Sequence, residues 1–157
     1  MLASRLLSRD DAYFVWVRFG AAIGSEELKR SYGEYWPRRP LADELVWEWA
    51  NFKEVVGWSA VRKDPLEPVF WAMIGIFPNK KSRGYAKVIF RETIRKGFNF
   101  FPADWCFAAV SKKCGKVFPY MKEGSGWIRA GEMNVPEPGY LIFGWKRNKL
   151  QDGTSRP

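Results

Sequence analysis

The fold class is decided by three consecutive segments, which read VFWAMIGIF (69–77), PNKKSRG (78–84) and YAKVIFRETIRK (85–96). The first segment is apolar at nearly every position, a pattern typical of a central strand that is covered on both faces. The second is a basic loop. The third has the apolar spacing of an amphipathic helix, and Gly97 follows it at the position where a glycine often ends a helix. The sequence therefore predicts a buried strand, a loop and a helix that crosses over to the next strand.

Further strands and helices are predicted on both sides of this unit. We expect strands at Ser4–Leu7, Glu44–Trp49, Val55–Arg62, Trp105–Val110, Trp127–Met133 and Tyr140–Trp145. We expect one helix at Tyr13–Ala22, capped by Asp10 or Asp11, a second that starts at Ser25, and a third at Lys112–Lys122. The run from Phe14 to Val17 suits a strand equally well. The order predicts a mixed α/β sheet with at least one parallel crossover, in a single domain over residues 1–145 followed by a flexible tail at 146–157.

Composition and charge exclude several classes of function. The 157 residues include 26 Lys and Arg, 17 Asp and Glu, and no histidine. A Ser-His-Asp triad, a histidine base and a histidine-ligated metal site are therefore excluded, and two cysteines cannot form a disulfide framework or a zinc site. The cysteine usage favours a reducing, cytoplasmic location, and no signal peptide or membrane-spanning stretch is predicted. The net charge of +9 favours an anionic partner: nucleic acid, a membrane surface or a phosphate-bearing small molecule.

The basic loop has the features of a phosphate-binding site. A helix N-terminus presents unpaired backbone N–H groups and the positive end of the helix dipole. Gly84 and Ala86 leave the backbone accessible, while Lys80, Lys81 and Arg83 add positive charge. A solvated basic turn without a ligand has the same pattern, so the loop alone does not distinguish the two.

Two motifs resemble those of a known family, the GNAT (GCN5-related N-acetyltransferase) superfamily. Its acyl-CoA pyrophosphate loop has the pattern Gln/Arg-x-x-Gly-x-Gly/Ala, and the matching residues here are Lys81-Ser82-Arg83-Gly84-Tyr85-Ala86. Lys81 departs from the pattern, since it keeps the charge but lacks the planar donors of Gln or Arg. The family's Tyr-x-x-x-Gly at the end of a later helix is resembled by Tyr120-Met121-Lys122-Glu123-Gly124. The resemblance covers residues 44–145 and is strongest over residues 69–124.

The resemblance implies a fold, a cofactor and a reaction. The fold is an α/β (α+β) domain with a mixed, mostly antiparallel central sheet and helices on both faces. The cofactor is acetyl-CoA or coenzyme A, and the acyl group passes directly to an acceptor amine. Tyr120 is implied as the general acid for the CoA thiolate, a role that suits a phenol with a pKa of about 10. The implied cofactor-binding residues are Met73, Ile74, Ile76, Lys81, Ser82, Arg83, Gly84, Tyr85 and Ala86, with no metal ligand.

The general base and the acceptor are left open. The central strand carries no carboxylate, although GNAT enzymes often place their base on or near it. Substitutes on neighbouring elements are Glu44, Glu48, Glu67 and Glu132, and the alternatives are a water relay or an acceptor amine that is already neutral. The acceptor is a small molecule, a protein or a nucleobase. Two further hypotheses are a phage-type enzyme that modifies DNA bases, with DNA as a partner, and an inactive CoA-binding module. We expect no membrane partner, and a monomer or homodimer.

The surplus positive charge is concentrated in two segments. Asn79–Lys87 and Ser111–Lys122 each hold four basic residues and no acidic one. By the resemblance, these segments flank the acyl-CoA cleft, and a cofactor with three phosphates accounts for much of the charge. Nucleic acid is therefore the alternative anionic partner rather than the first choice.

Overall fold

A computed structural model of the protein describes residues 1–33, 36–81, 83–111, 128–131 and 140–147. Within these ranges the strands are β1 (Leu2–Leu6), β2 (Glu44–Asn51), β3 (Glu54–Lys63), β4 (Val69–Ile76), β5 (Trp105–Ser111), β6 (Ile128–Gly131) and β7 (Tyr140–Lys146). The helices are α1 (Arg9–Ile23), α2 (Ser25–Tyr32) and α3 (Tyr85–Phe100), and a 3-10 turn spans Pro78–Lys80. The predicted helix at Lys112–Lys122 lies outside the described residues. The helices in these ranges are too short or too polar to cross a bilayer.

The chain forms two compact units, which are residues 1–62 with 73–93 and residues 63–72 with 94–157. The first unit contains the strand order β1-β2-β3-β4, in which β1 and β2 pair antiparallel, as do β2 and β3. The predicted hairpin between β2 and β3 is confirmed, and its turn includes Phe52 at a φ of 56°. The Phe77 N–H donates to the Val56 carbonyl at 3.0 Å, so the chain just after β4 stays bonded to β3.

The helix α1 begins one turn earlier than its apolar pattern predicts. Ser8 has extended backbone angles, and its hydroxyl accepts a hydrogen bond from the Asp11 N–H at 3.2 Å. The prediction that Asp10 or Asp11 caps this helix is therefore wrong, because both lie inside its first turn, where they face the positive end of the helix dipole. The alternative strand at Phe14–Val17 is wrong as well, since these residues lie in the helix.

Aromatic rings form the core of the first unit. Trp16 and Phe19 of α1 pack against Trp58 of β3, with ring centroids 5.5 and 5.6 Å apart. Trp36 stacks on Trp58 at 5.3 Å, and Tyr32 stacks on Trp36 at 4.9 Å. These five residues are called the aromatic cluster below. The tryptophans of α1 and β3 are therefore core residues, which is what their place in apolar segments predicts.

The second unit contains the parallel pair that the sequence predicts. Here β4 and β5 pair in parallel over three residue pairs, from Val69 with Trp105 to Trp71 with Phe107. The strand order in this unit is β4-β5-β7-β6, with antiparallel pairing of β5 to β7 and of β7 to β6. The sheet is therefore mixed and mostly antiparallel, with α3 as the crossover between parallel strands, and the predicted fold class is confirmed.

The helix α3 continues past its predicted end. Gly97 lies inside the helix, which ends at Phe100, so the prediction that Gly97 terminates it is wrong. A Cβ atom at Gly97 would lie 2.2 Å from Cε2 of Phe70, a residue of β4 in the same unit. The glycine therefore allows the helix to approach the strand closely, which is a packing role that the sequence pattern does not distinguish from a helix end.

The end of α3 is held by Arg147. Its guanidinium donates to the carbonyls of Phe98, Phe101 and Ala103 at 2.7–2.8 Å. These carbonyls belong to the last turn of α3 and the chain after it, where backbone acceptors lack partners within the helix. Lys146 and Arg147, the first two residues of the predicted tail, therefore belong to the second unit. The rest of that tail lies outside the described residues.

Candidate functional site

The candidate site is built from the end of β4, the loop after it and the start of α3, all within the first unit. Pro78 opens the 3-10 turn, where its missing N–H leaves no donor unpaired. The Lys80 N–H donates to the Phe77 carbonyl at 2.8 Å, and the Lys81 N–H donates to the Pro78 carbonyl at 3.4 Å. These bonds turn the chain away from the strand and towards the helix.

Gly84 gives the loop an open backbone in front of α3. Its φ is +79°, a conformation that favours glycine, and among the described residues beyond its chain neighbours no atom lies within 4 Å of the position that a Cβ would occupy. The first turn of α3 contains no acidic residue, and its N–H groups have no partners within the helix. Lys81, Arg83 and Lys87 are exposed around this opening. Backbone donors, the helix dipole and cationic side chains therefore meet at an open space, which fits a pyrophosphate group.

Lys80 has a different environment from the other basic residues of the loop. Its side chain is only 10% exposed, and its Nζ lies 2.5 Å from a carboxylate oxygen of Glu54 at the start of β3. The hydrogen bond from Lys80 and its charge lower the pKa of Glu54, with a smaller contribution from Arg83. One of the four positive charges counted in Asn79–Lys87 is therefore already paired with a carboxylate of the protein. The sequence does not reveal this pairing, because Glu54 is 26 residues away in another element.

Tyr85 is the first residue of α3, and its hydroxyl accepts a hydrogen bond from the side-chain amide of Asn51 at 3.0 Å. Asn51 ends β2, so the same hairpin that supplies Glu54 also contacts the helix start. The sequence does not reveal this contact: the resemblance implies a cofactor-binding role for Tyr85 but no partner for its hydroxyl.

The strand before the loop is held from the side of α2. The Tyr32 hydroxyl donates to the Ile74 carbonyl at 2.7 Å. Met73 and Phe77 pack against the core that contains the aromatic cluster. The ladder between β4 and β5 covers Val69–Trp71, and β4 continues beyond it to Ile76. The segment that the resemblance assigns to the pantetheine arm therefore has one of its carbonyls bonded to a tyrosine.

The structure brings most of the predicted site residues together. Lys81, Arg83, Gly84, Tyr85 and Ala86 lie in one loop and helix start, directly after the strand that carries Met73, Ile74 and Ile76. Ser82 and Tyr120 lie outside the described residues. The roles of all of these residues in binding or catalysis stay predictions.

Two of the four candidate bases, Glu44 and Glu48, form ion pairs with arginine side chains. The Glu44 carboxylate is fully buried; it accepts hydrogen bonds from Arg38 at 2.6 and 3.1 Å and from the Leu41 N–H at 3.0 Å. Glu48 lies 3.0 Å from Arg5 and 3.5 Å from Arg18. Both carboxylates therefore have structural partners.

The other two candidate bases are Glu67 and Glu132. Glu67 is exposed in the connection before β4. Glu132 lies outside the described residues.

Cys106 of β5 is buried, and burial raises the pKa of its thiol well above the ordinary value, so it is a poor nucleophile at neutral pH.

Comparison with solved structures identifies the fold. A mutant form of the spermidine/spermine N-acetyltransferase SpeG from Vibrio cholerae matches with a TM-score of 0.72 and 14% identity, covering 98% of each chain. An acetyltransferase of the GNAT family from Streptococcus pneumoniae matches with a TM-score of 0.70 and 11% identity, covering 94% of this chain and all of that one. A complex of the Vibrio cholerae spermidine N-acetyltransferase with CoA and spermine matches with a TM-score of 0.65 and 14% identity over 96% of each chain.

The sequence itself has no comparable match. No family model and no curated protein matches it. The likeness to known proteins therefore lies in the arrangement of strands and helices, over nearly the whole chain. On these grounds the protein has the fold of the GNAT acetyltransferases.

Proposed function

We propose that the protein is an acyl-CoA-dependent N-acyltransferase that uses acetyl-CoA. The observation that carries this proposal is the opening in front of α3, where Gly84 has a φ of +79° and free space at its Cβ position within a GNAT fold. Two structural neighbours are described as N-acetyltransferases, and one of them is a complex with CoA and spermine. These neighbours support the reaction class, while the acceptor of this chain is a separate question.

The residues of the loop are chemically suited to the cofactor. The N–H groups at the start of α3 and the exposed Lys81 and Arg83 would bind the pyrophosphate, because they combine directed donors with positive charge. Ala86 keeps the helix start small, and Gly84 lets a phosphate approach the backbone. The backbone of Met73 to Ile76 would position the pantetheine arm beside the strand.

The chemical step follows from the same proposal. Bound acyl-CoA supplies an acyl group activated as a thioester. The acceptor amine attacks its carbonyl carbon, the C–S bond breaks, and Tyr120 donates its proton to the departing thiolate. The amine loses its proton to water or to a carboxylate, and an amine that is already neutral needs no strong base.

Calorimetric titration with acetyl-CoA and CoA tests the cofactor proposal. Gly84→Glu is expected to abolish binding, since it places a bulky anion where the pyrophosphate would lie. Gly24→Glu is the matched control, because Gly24 also has a positive φ, +87°, and open space at its Cβ position, but lies between α1 and α2. Equal loss of binding in both variants, or no binding by the parent, contradicts the proposal.

The reaction is tested by release of free thiol from acetyl-CoA in the presence of an amine panel. The panel contains a polyamine, an arylamine, a lysine peptide and single-stranded DNA, so that it covers the small-molecule, protein and nucleobase acceptors. Tyr120→Phe is expected to lower turnover at saturating cofactor. Full turnover by this variant contradicts the general-acid role, and DNA binding that falls steeply with salt would favour a nucleobase acceptor.

A further inference from the structure

We propose that the tip of the β2–β3 hairpin is a positioning element for the cofactor loop, with Glu54 holding Lys80 and Asn51 holding Tyr85. The proposal rests on the proposed function, because it concerns how the same loop binds acyl-CoA. It assigns Lys80 a positioning role, and it leaves Lys81 and Arg83 as the cations that contact the phosphates. The charge count of the segment Asn79–Lys87 makes no such distinction between the two neighbouring lysines.

The first step concerns the ion pair. The Lys80 side chain is 10% exposed and that of Glu54 is 69% exposed, so a largely buried ammonium pairs with a carboxylate at the surface. A largely buried ammonium requires an anionic partner, since leaving it unpaired carries a desolvation cost. Glu54 meets this requirement at 2.5 Å. A phosphate at Lys80 would have to share the ammonium with this carboxylate, and the two anions would repel each other.

The second step concerns the two ends of the loop. Lys80 ends the 3-10 turn and Tyr85 begins α3, so the contacts to Glu54 and Asn51 lie on either side of the segment at 81–84. Both partners come from one hairpin tip, where Asn51 and Glu54 are paired across the strands. These two contacts restrain Lys80 and Tyr85 before the cofactor binds. The loss of conformational entropy on binding is therefore smaller.

The third step concerns the contrast between adjacent lysines. Lys80 is buried and paired, while Lys81 is exposed beside the opening at Gly84. If Lys80 acts through Glu54, an exchange of the two charges preserves its role. If Lys80 binds phosphate directly, no change at Glu54 restores the affinity that a negative charge at position 80 removes. The two roles are therefore separable by a charge swap.

The experiment measures the Kd for CoA by calorimetry, and the KM and kcat with acetyl-CoA, in single and double variants. Lys80→Glu is expected to raise the Kd about tenfold, and Lys80→Glu with Glu54→Lys to return it to within about threefold of the parent. Lys81→Glu is the matched control: it also raises the Kd, and Glu54→Lys does not restore it. The kcat at saturating acetyl-CoA is expected to stay near the parent value in the swapped double variant. Thermal melts identify variants that fail to fold.

A second measurement does not depend on the charge swap. Asn51→Ala and Tyr85→Phe each remove one side of the same hydrogen bond, so each is expected to raise the Kd for CoA about threefold, with no further increase in the double variant. A swapped double variant that binds no better than Lys80→Glu alone overturns the positioning role of Lys80. Additive effects at Asn51 and Tyr85 overturn the positioning role of their contact. A parent that binds no CoA overturns the proposed function, and this proposal with it.

Discussion

Replacement of Gly75 by alanine is expected to destabilise the protein more than any other glycine-to-alanine change in the first unit apart from that at Gly57. Gly75 lies in β4, and a Cβ atom there would be 2.4 Å from Nε1 and 2.6 Å from Cε2 of Trp58, and 2.7 Å from Cζ of Phe19. Cβ atoms essentially never approach other atoms this closely. Both rings belong to the aromatic cluster, and each is already in contact with Trp36. Neither ring can therefore rotate away without disturbing the others.

The magnitude follows from the cost of overpacking. An extra methyl group in a well-packed core costs about 1–3 kcal/mol. The upper end of this range is expected, because the new Cβ would meet two rigid rings rather than the end of a flexible side chain. The alanine recovers about 0.4–1 kcal/mol because it restricts the unfolded chain. A net loss of about 2 kcal/mol in the free energy of unfolding is therefore expected. For a chain of this size, that corresponds to a Tm lower by about 4–8 °C.

The assay is urea unfolding followed by tryptophan fluorescence, together with a thermal melt. Gly20→Ala is the matched control, since its Cβ would meet the flexible end of Leu28 at 3.2 Å and alanine favours the helix that contains it. This control is expected to change the free energy of unfolding by less than about 1 kcal/mol. A Gly75→Ala variant as stable as the parent would refute the close packing of Trp58 and Phe19 on β4.

Two further predictions concern the charged contacts. Arg147→Ala removes the donors from three carbonyls at the end of α3, so the free energy of unfolding is expected to fall by about 2 kcal/mol. Arg147→Lys is expected to recover part of this loss. An unchanged Tm in the Arg147→Ala variant contradicts the prediction. Lys80 lowers the pKa of Glu54, so their pair stabilises the fold above the unfolded pKa of about 4.3 and this contribution is lost as the pH falls through the lowered value. The Tm difference between the parent and Glu54→Gln is therefore expected at pH 7 and should shrink below about pH 4; a difference that stays constant down to pH 3 argues against the pair.

Local patterns in the sequence were sufficient for most of the elements. The apolar run at Val69–Phe77 and the helical spacing after it identify β4 and α3, because both depend on neighbouring residues along the chain. The end of α3 was predicted wrongly at Gly97. A single sequence does not distinguish a glycine that ends a helix from a glycine that leaves space for an aromatic ring of another element. The position of the Phe70 ring shows that Gly97 is of the second kind.

The candidate site also has one part that the sequence reveals and another that only the structure shows. The basic loop, Gly84 and the helix start are contiguous, so their motif is visible in the sequence. The pairing of Lys80 with Glu54 and of Tyr85 with Asn51 joins residues that are 26 and 34 positions apart. A count of charges treats Lys80 and Lys81 as equal, whereas burial gives one of them a carboxylate partner and leaves the other in solvent.

The sequence by itself determined the strand, loop and helix around Gly84, the concentration of positive charge there and the absence of histidine chemistry. The tertiary structure alone decided which of those charges are available to a ligand, and which carboxylates are already held, as Glu44 is by Arg38. The physical reason is that hydrogen-bond geometry and backbone conformation are set within a few residues. Burial and ion pairing depend instead on which distant segments the fold brings into contact.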